Sequence, residues 1–259
     1  MRRDELADWA CRVRDDRDAL RPWRSFAPPD AMTAEEAYAL QGEVARLREE
    51  RGERIVGYKI GCTSQVIQDQ LGIREPIFAR LFQSEQVPDG ARIDHSRFAH
   101  LAIEGELAIR LSRDLPSDPL SDEEYVEAVD AVFPVIEPHH HAPPARGFSL
   151  AALIVSGGMN AGLVVPSTER SREGQVPLVT ELEVRIDDRL AGGTQRPWAM
   201  GGPALALRWL AARLAAWDLR LRKGQVILTG SPLPLFPVKP GSRIVVEARP
   251  LGTCSVVVG

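Results

Sequence analysis

Cysteine is scarce. Cys11, Cys62 and Cys254 are odd in number and far apart, so neither a disulfide framework nor a thiolate metal site is indicated, and all three read as buried or incidental thiols. The opening MRRDELADWACRVRDDRD is charged throughout and lacks the apolar core of a signal peptide. The greasiest window, 150–165, is too short to span a bilayer and is interrupted by Ser156, Gly157, Gly158 and Asn160. These absences point to a cytoplasmic protein without a membrane partner. Excess positive charge is missing too: 32 Lys and Arg against 36 Asp and Glu leave a net charge of −4, which provides no footprint for nucleic acid. Internal repeats, low-complexity tracts, G-x-G-x-x-G, P-loop and nucleophile-elbow patterns are absent at usable positions. What is present is 44% apolar and 26% charged residues over 259 positions, enough to bury a substantial core.

The most informative stretch is Leu101 to Leu111, LAIEGELAIRL. As a strand it puts Leu101, Ile103, Gly105, Leu107, Ile109 and Leu111 on one face and Ala102, Glu104, Glu106, Ala108 and Arg110 on the other. Glu104 and Glu106 would have α-carbons roughly 6.5 to 7 Å apart, close enough to converge on one hard cation. Two buried carboxylates side by side need a metal, a proton or a cation nearby. The plainer alternative is an amphipathic strand with its acidic face in water. Glu181 and Glu183 in ELEVRID repeat the spacing but continue into Arg185 and a turn-prone Asp187-Asp188, the pattern of a solvated hairpin.

Residues 4–21 carry Leu6, Trp9, Val13 and Leu20 at helical spacing, and a Pro-containing connector, FAPPDAM, follows. Thr33 and Glu36 form a capping box opening a second helix. Residues 1–52 thus read as an N-terminal helical region and 53–259 as the main body. RIVGYKIG is a strand with Lys59 facing away from Tyr58 and Ile60; the lysine is either a snorkelling surface residue or a cation placed beside the carboxylates. Residues 63–71 suit a short helix. Ser121 and Glu124 cap a helix expected to run to Ala131. AVFPVIEPHHH is extended, with Pro134 and Pro138 confining it to an edge or strand end; it carries Glu137 towards the core and ends in His139, His140 and His141. Further strands are expected over 158–165 and 182–190, then a helix from Gly202-Pro203 to Lys223-Gly224, then strand, Pro-rich loop and two strands to the C-terminus.

The combination of GYKIG with Thr63-Ser64, IEGELAIRL, the apolar run into Glu137, GQVILTGS, and KPGSRIVVEARPLGTCSVVV resembles the fumarylacetoacetate hydrolase superfamily. The similarity is to its branch of 2-keto-4-pentenoate hydratases and oxalocrotonate decarboxylases, and it runs in order from about Ala37 to Val258. It implies an α+β fold, a mixed β-roll or sandwich with flanking helices, assembled as a homo-oligomer, dimer or higher. It implies Mg²⁺ or Mn²⁺ held at the positions of Glu104, Glu106 and Glu137, with Lys59 beside a small 2-oxo acid substrate. Thr63, Ser64, Asn160, Thr229 and Ser231 fall where substrate contacts are expected.

The departures concern proton transfer. The family carries an aspartate at the position of Ile77, an Asp-Asn-Ala-Ser-type segment where this chain has Gly157, Gly158, Met159 and Asn160, and a histidine where it has Gly202. Glu75, or a histidine among 139–141 with His139 first, is expected to take over as acid or base. Desolvation and a neighbouring metal should lower the Lys59 pKa, against the pull of the three carboxylates. The reaction expected is hydration of a 2-hydroxypenta-2,4-dienoate-type substrate. The alternatives are decarboxylation of an oxalocrotonate-type acid, C–C bond hydrolysis, or a catalytically altered binding homologue.

Overall fold

The computed structural model describes residues 2–21, 32–142, 149–166 and 176–259; all of the FAPPDAM connector except Met32 lies outside them. Two helices open the chain, α1 (Arg3–Asp18) and α2 (Ala34–Glu50). The Thr33 hydroxyl accepts from the Glu36 amide while the Glu36 carboxylate accepts from the Thr33 amide, the reciprocal cap expected from the sequence. Then come β1 (Ile55–Gly61), α3 (Gln65–Leu71), β2 (Ile77–Phe82), β3 (Gln86–Pro88), β4 (Arg92–Ile93), β5 (Leu101–Leu111), α4 (Asp122–Glu127) and β6 (Val129–His140). The chain continues through α5 (Leu150–Val155), β7 (Leu163–Val165), β8 (Glu181–Ile186), β9 (Arg189–Thr194) and α6 (Pro203–Ala215). It ends with β10 (Val226–Leu228), β11 (Phe236–Pro237), β12 (Arg243–Arg249) and β13 (Gly252–Val258).

These strands form two mixed sheets. One is ordered β2-β1-β10-β5-β6-β7-β3 with β11 beside β5, the other β4-β13-β12-β8-β9. The odd-numbered face of β5 explains why they stack. Leu101, Ile103, Leu107, Ile109 and Leu111 are fully buried and share one apolar cluster with Leu182 and Val184 of β8 and Ile244 and Val246 of β12. Gly105 marks the closest approach: a Cβ there would lie 2.5 Å from Val184 Cγ2 and 2.9 Å from Val246 Cγ2. The result is the expected α+β roll, and no helix among the described residues is long and apolar enough to cross a membrane.

The helices cover the first sheet and one of its edges. β2 is an edge strand, and α2 supplies side chains where another strand would supply backbone: Gln41 Nε2 donates to the Phe78 carbonyl at 3.1 Å, and the Tyr38 hydroxyl accepts from the Phe78 amide at 3.2 Å. Gln41 also donates to Ile154 O at 2.7 Å, tying in α5. Ala10, Ala37, Leu40 and Val44 share a core with Ile77, Leu153 and Ile154, so the N-terminal helices pack directly on the body. Glu85, just after β2, joins them electrostatically, with its Oε1 2.7 Å from Arg17 of α1 and 2.8 Å from Arg48 of α2. Burial pushes the Glu85 carboxyl up, but Arg17 and Arg48 outweigh it and hold it below its ordinary value.

Several boundaries differ from the sequence expectation. The helix opened by Ser121 stops at Glu127, because Val129 onward pairs with β5 from Leu111↔Val129 to Leu101↔His140; tertiary pairing of β-branched residues overrides the local helix signal. α6 ends at Ala215, with Asp218 left-handed at φ 54°. The strand expected over 158–165 shrinks to β7, because Gly157, Gly158 and Met159 are all left-handed. β6 is not an edge: it runs between β5 and β7. Its prolines are tolerated because Pro134 and Pro138 share the parity of Ile136, the one β6 residue in register with β7, so their missing N–H groups would point away from β5.

Two outcomes follow from this packing. Gly105→Ala forces a methyl into the sheet interface and should destabilise by about 1–3 kcal/mol, measured by urea unfolding, with Val184→Ala in the same chain recovering much of the loss. Glu85→Gln removes the carboxylate paired with Arg17 and leaves Arg48 with Glu53 alone, and should cost about 1–3 kcal/mol at pH 7. Because the folded carboxyl titrates below its ordinary value, that contribution is complete above the unfolded carboxylate range and drains as pH falls through the folded value. Melts of wild type and variant should therefore converge at low pH and separate at neutrality.

Candidate active site

The antiparallel register of β5 and β6 sets Glu104 opposite Glu137, Ala102 opposite His139 and Glu106 opposite Val135. The even-numbered face of β5 is therefore not the wet side of an amphipathic strand: Glu106 is fully buried and Glu137 is 1% exposed. Lys59 arrives through the ladder β1-β10-β5, in which it pairs with Leu228 and Leu228 pairs with Ala108. Its Nζ donates to Glu137 Oε1 at 2.7 Å. Asn160 Nδ2 donates to the same oxygen at 2.8 Å. His139 Nε2 lies 3.3 Å from Glu104 Oε2 and 3.5 Å from Glu137 Oε2, within ion-pair range but not aligned as a hydrogen bond, so both ring nitrogens lack hydrogen-bond partners.

The charges in this cluster settle one another. Burial pushes Glu106 well above the usual carboxyl range, and the neighbouring Glu137 adds to the shift. Burial acts on Glu137 in the same direction, yet Lys59 and then His139 outweigh it and hold it far below. Burial alone would lower His139, but Glu137 and Glu104 push it up to about 9. Lys59 corrects the sequence expectation of a lowered pKa: burial does pull it down, but Glu137 and then Glu104 outweigh that and raise it. Three carboxylates thus share two organic cations, one of the carboxylates resists ionisation, and Glu106 Oε1 is buried without a partner.

Glu104, Glu137 and His139 present one ligand atom each within 4.8 Å of one another. The orphaned Glu106 Oε1 beside them supplies a further oxygen. A carboxylate-rich donor set with one imidazole suits a hard divalent ion, which would replace the protons on Glu106 and His139, so the residues fit the group. The geometry adds His139 to the set expected from sequence and leaves Glu106 the least available of the three glutamates, since its Oε2 already accepts from the Gly230 amide at 2.5 Å.

Of the cluster, Lys59, Glu104 and His139 line a cavity of about 460 Å³ together with His141, Thr63, Ser64 and Ser231, while Glu106 and Glu137 are buried beside it. Its walls include Leu71, Leu153, Leu233 and Leu235. Ser64 also caps α3, accepting from Ile67 N at 3.2 Å, and Ser231 Oγ donates to Gly105 O at 3.1 Å. Gly158 shapes the floor: a Cβ there would sit 3.1 Å from Lys59 Nζ. Ile77 stands near the same lysine, where the family pattern has its aspartate; its Cγ1 and Lys59 Cε both come within 3.5 Å of a Cβ built on Gly61.

Not every expected residue joins the cavity. Glu75 is exposed and ion-paired with Arg213 of α6; it sits in the loop ahead of β2 and does not line the cavity. Thr229 is buried, with its hydroxyl donating to Leu107 O at 2.8 Å; the adjoining Gly230 amide carries the contact to Glu106. Asn160 lies behind the floor and acts through Glu137. The histidines alternate as an extended run must: His139 and His141 line the cavity, whereas His140 turns away, its Nδ1 accepting from Ala99 N at 3.2 Å. The leucine walls carried no sequence signal, since apolar loop residues look alike anywhere in a chain, and Gly158 was marked only as part of a segment that departs from the family pattern.

No protein-family model matches the chain. Curated proteins do. It is 31% identical over 247 residues to 2-hydroxyhexa-2,4-dienoate hydratase of Comamonas testosteroni, covering 92% of this chain and 93% of that one. It is 30% identical over 242 residues to 2-keto-4-pentenoate hydratase of Paraburkholderia xenovorans (strain LB400), covering 93% and 89%. Among solved structures, 4-oxalocrotonate decarboxylase from Pseudomonas putida G7, complexed with magnesium and adipate, superposes with a TM-score of 0.90 at 25% identity over 100% of this chain and 99% of that one. The chain belongs to the 2-keto-4-pentenoate hydratase and 4-oxalocrotonate decarboxylase branch of the fumarylacetoacetate hydrolase superfamily.

Proposed function

We propose that this chain is a divalent-metal-dependent hydro-lyase acting on a small 2-oxo acid or its dienol, of the 2-hydroxypenta-2,4-dienoate type. The observation that carries the reading is the meeting of Glu104, Glu137, His139 and Lys59, three of which, Lys59, Glu104 and His139, line a cavity with apolar walls. Glu104, Glu137 and His139, with Glu106 beside them, would hold Mg²⁺ or Mn²⁺; when bound, the ion supplies Lewis acidity towards the carboxylate and C2 oxygen of the substrate.

The chain's own residues do the rest. Lys59, held charged by Glu137, faces the cavity as a fixed cation for the oxyanion of the dienol. The dienol gives up its hydroxyl proton and gains one at the far carbon of the diene, yielding an unsaturated 2-oxo acid. Water oxygen then bonds to C4 while a proton goes to C3, giving the 4-hydroxy-2-oxo acid. Proton delivery falls to His141 on the cavity wall, or to His139 where the glutamates alone hold the ion; Lys59, Glu104 and Cys62 also line the cavity. Glu75 is too far out to serve. The leucines exclude bulk water and accept the apolar end of a diene. Thr63, Ser64 and Ser231 are placed to bind polar substrate atoms.

Decarboxylation is the second reading, supported by the full-length likeness to the oxalocrotonate decarboxylase; loss of CO₂ would use the same stabilised enolate. A homo-oligomeric assembly and a cytoplasmic location belong to this proposal through the family resemblance.

The deciding assay follows dienoate absorbance and CO₂ together. Metal-dependent loss of absorbance without gas supports the hydratase, gas release supports the decarboxylase, and neither with any 2-oxo acid overturns both. Glu137→Gln should weaken Mg²⁺ binding, read by calorimetry, beyond the ~10–100-fold that loss of a merely supporting residue costs. Turnover of Lys59→Met equal to wild type would remove Lys59 from the mechanism.

A further inference from the structure

We propose that a second cavity, behind the Gly157–Asn160 segment, binds a short aliphatic carboxylate through Arg80. This cavity, of about 60 Å³, lies between α1, α2 and β2. It has room for about four water-sized groups, the size of a carboxylate with one or two further carbons.

Its charge is one-sided. Arg17, Arg48 and Arg80 all reach its wall, and among the described residues no aspartate or glutamate does. Arg17 and Arg48 are answered from outside it by Glu85 and Glu53. Arg80 is not. Its Nη1 donates to Gln41 Oε1 at 2.9 Å, a neutral acceptor, and among the described residues no carboxylate lies within ion-pair distance of it. Glu49, which acts on it only at longer range, is exposed on α2. Arg80 is half-buried, and a guanidinium has five donors in a planar fork, so Gln41 alone leaves most of them open to an anion. Carboxylate geometry matches that fork.

The remaining lining favours an aliphatic tail over a hydrated inorganic ion: Val13, Val44, Ala45 and Val155 face the same space. The cavity is separate from the catalytic one, yet shares a wall with it. Asn160 gives its side-chain Nδ2 to Glu137 and its carbonyl to Arg17 Nη2 at 2.9 Å, so an occupant would lie one residue away from the group that positions Glu137.

Calorimetry and thermal melts of the metal-loaded full chain, with sodium propionate against sodium chloride at constant ionic strength, test this. Saturable propionate binding is expected with a rise in Tm of about 2–4 °C, retained in Glu104→Gln, weakened at least tenfold in Arg80→Gln, and lost in Ala45→Leu, which fills the cavity without touching its charge. Binding retained in both cavity variants, binding lost in Glu104→Gln, or an equal effect of chloride would each overturn the proposal. None of these readouts uses turnover, so the result is independent of the catalytic reading.

Discussion

The contact between Lys59 and Glu137 is the constraint on which the rest of the site depends. Neither group tolerates burial alone, and at 2.7 Å each makes the other's charge acceptable. Once Glu137 is held ionised, His139 is drawn into its imidazolium form, and Glu106 cannot ionise beside them without a further cation. A hard ion can take that place, displacing the protons that Glu106 and His139 otherwise keep. The comparison strand β8 differs, since there Glu181 pairs with Arg249 and Glu183 with Arg185. Equal spacing along two strands thus leads to a site in one and to surface ion pairs in the other.

The fold serves this cluster by making β5 work on both faces. Its leucine and isoleucine face anchors the second sheet across Gly105, and its acidic face meets β6 and β1. A strand buried on both sides moves little, so side chains drawn from three strands keep their relative positions. α2 closes the exposed edge of β2 with side-chain hydrogen bonds from Gln41 and Tyr38, and Glu85 pins both N-terminal helices. The same helices enclose the arginine-lined cavity, so the elements that stabilise the edge of the sheet also create a compartment behind the active site.

Against the family pattern, the chain keeps its acidic residues and its lysine while replacing the polar surround. Ile77 and Gly158 stand next to Lys59 where a carboxylate and a polar segment are the family habit. Glu137 is the hydrogen-bonded partner of the lysine, and in the proposed reaction the burden of proton transfer falls to the histidine run. His139 and His141 point into the cavity and His140 away from it, as the period of two requires.

Much of this was legible before any coordinates. The alternation in LAIEGELAIRL, the lysine in an apolar strand and the glutamate at the end of an apolar run depend only on periodicity and on the cost of burying charge, both local properties. The capping boxes at Thr33 and Ser121 were equally local, and both form. What the sequence could not settle is which faces are covered. Whether Glu104 and Glu106 look into water or protein depends on β6 and β1, the first contributing Glu137 from 33 positions further along than Glu104 and the second Lys59 from 45 positions before it. Glu75 stayed at the surface, Thr229 turned into the sheet, and Gly230 and Gly158 became essential neighbours, all through packing that spans the chain. Residue chemistry set which charges need partners; only the tertiary structure, by fixing strand register and closing off solvent, decided which partners they have.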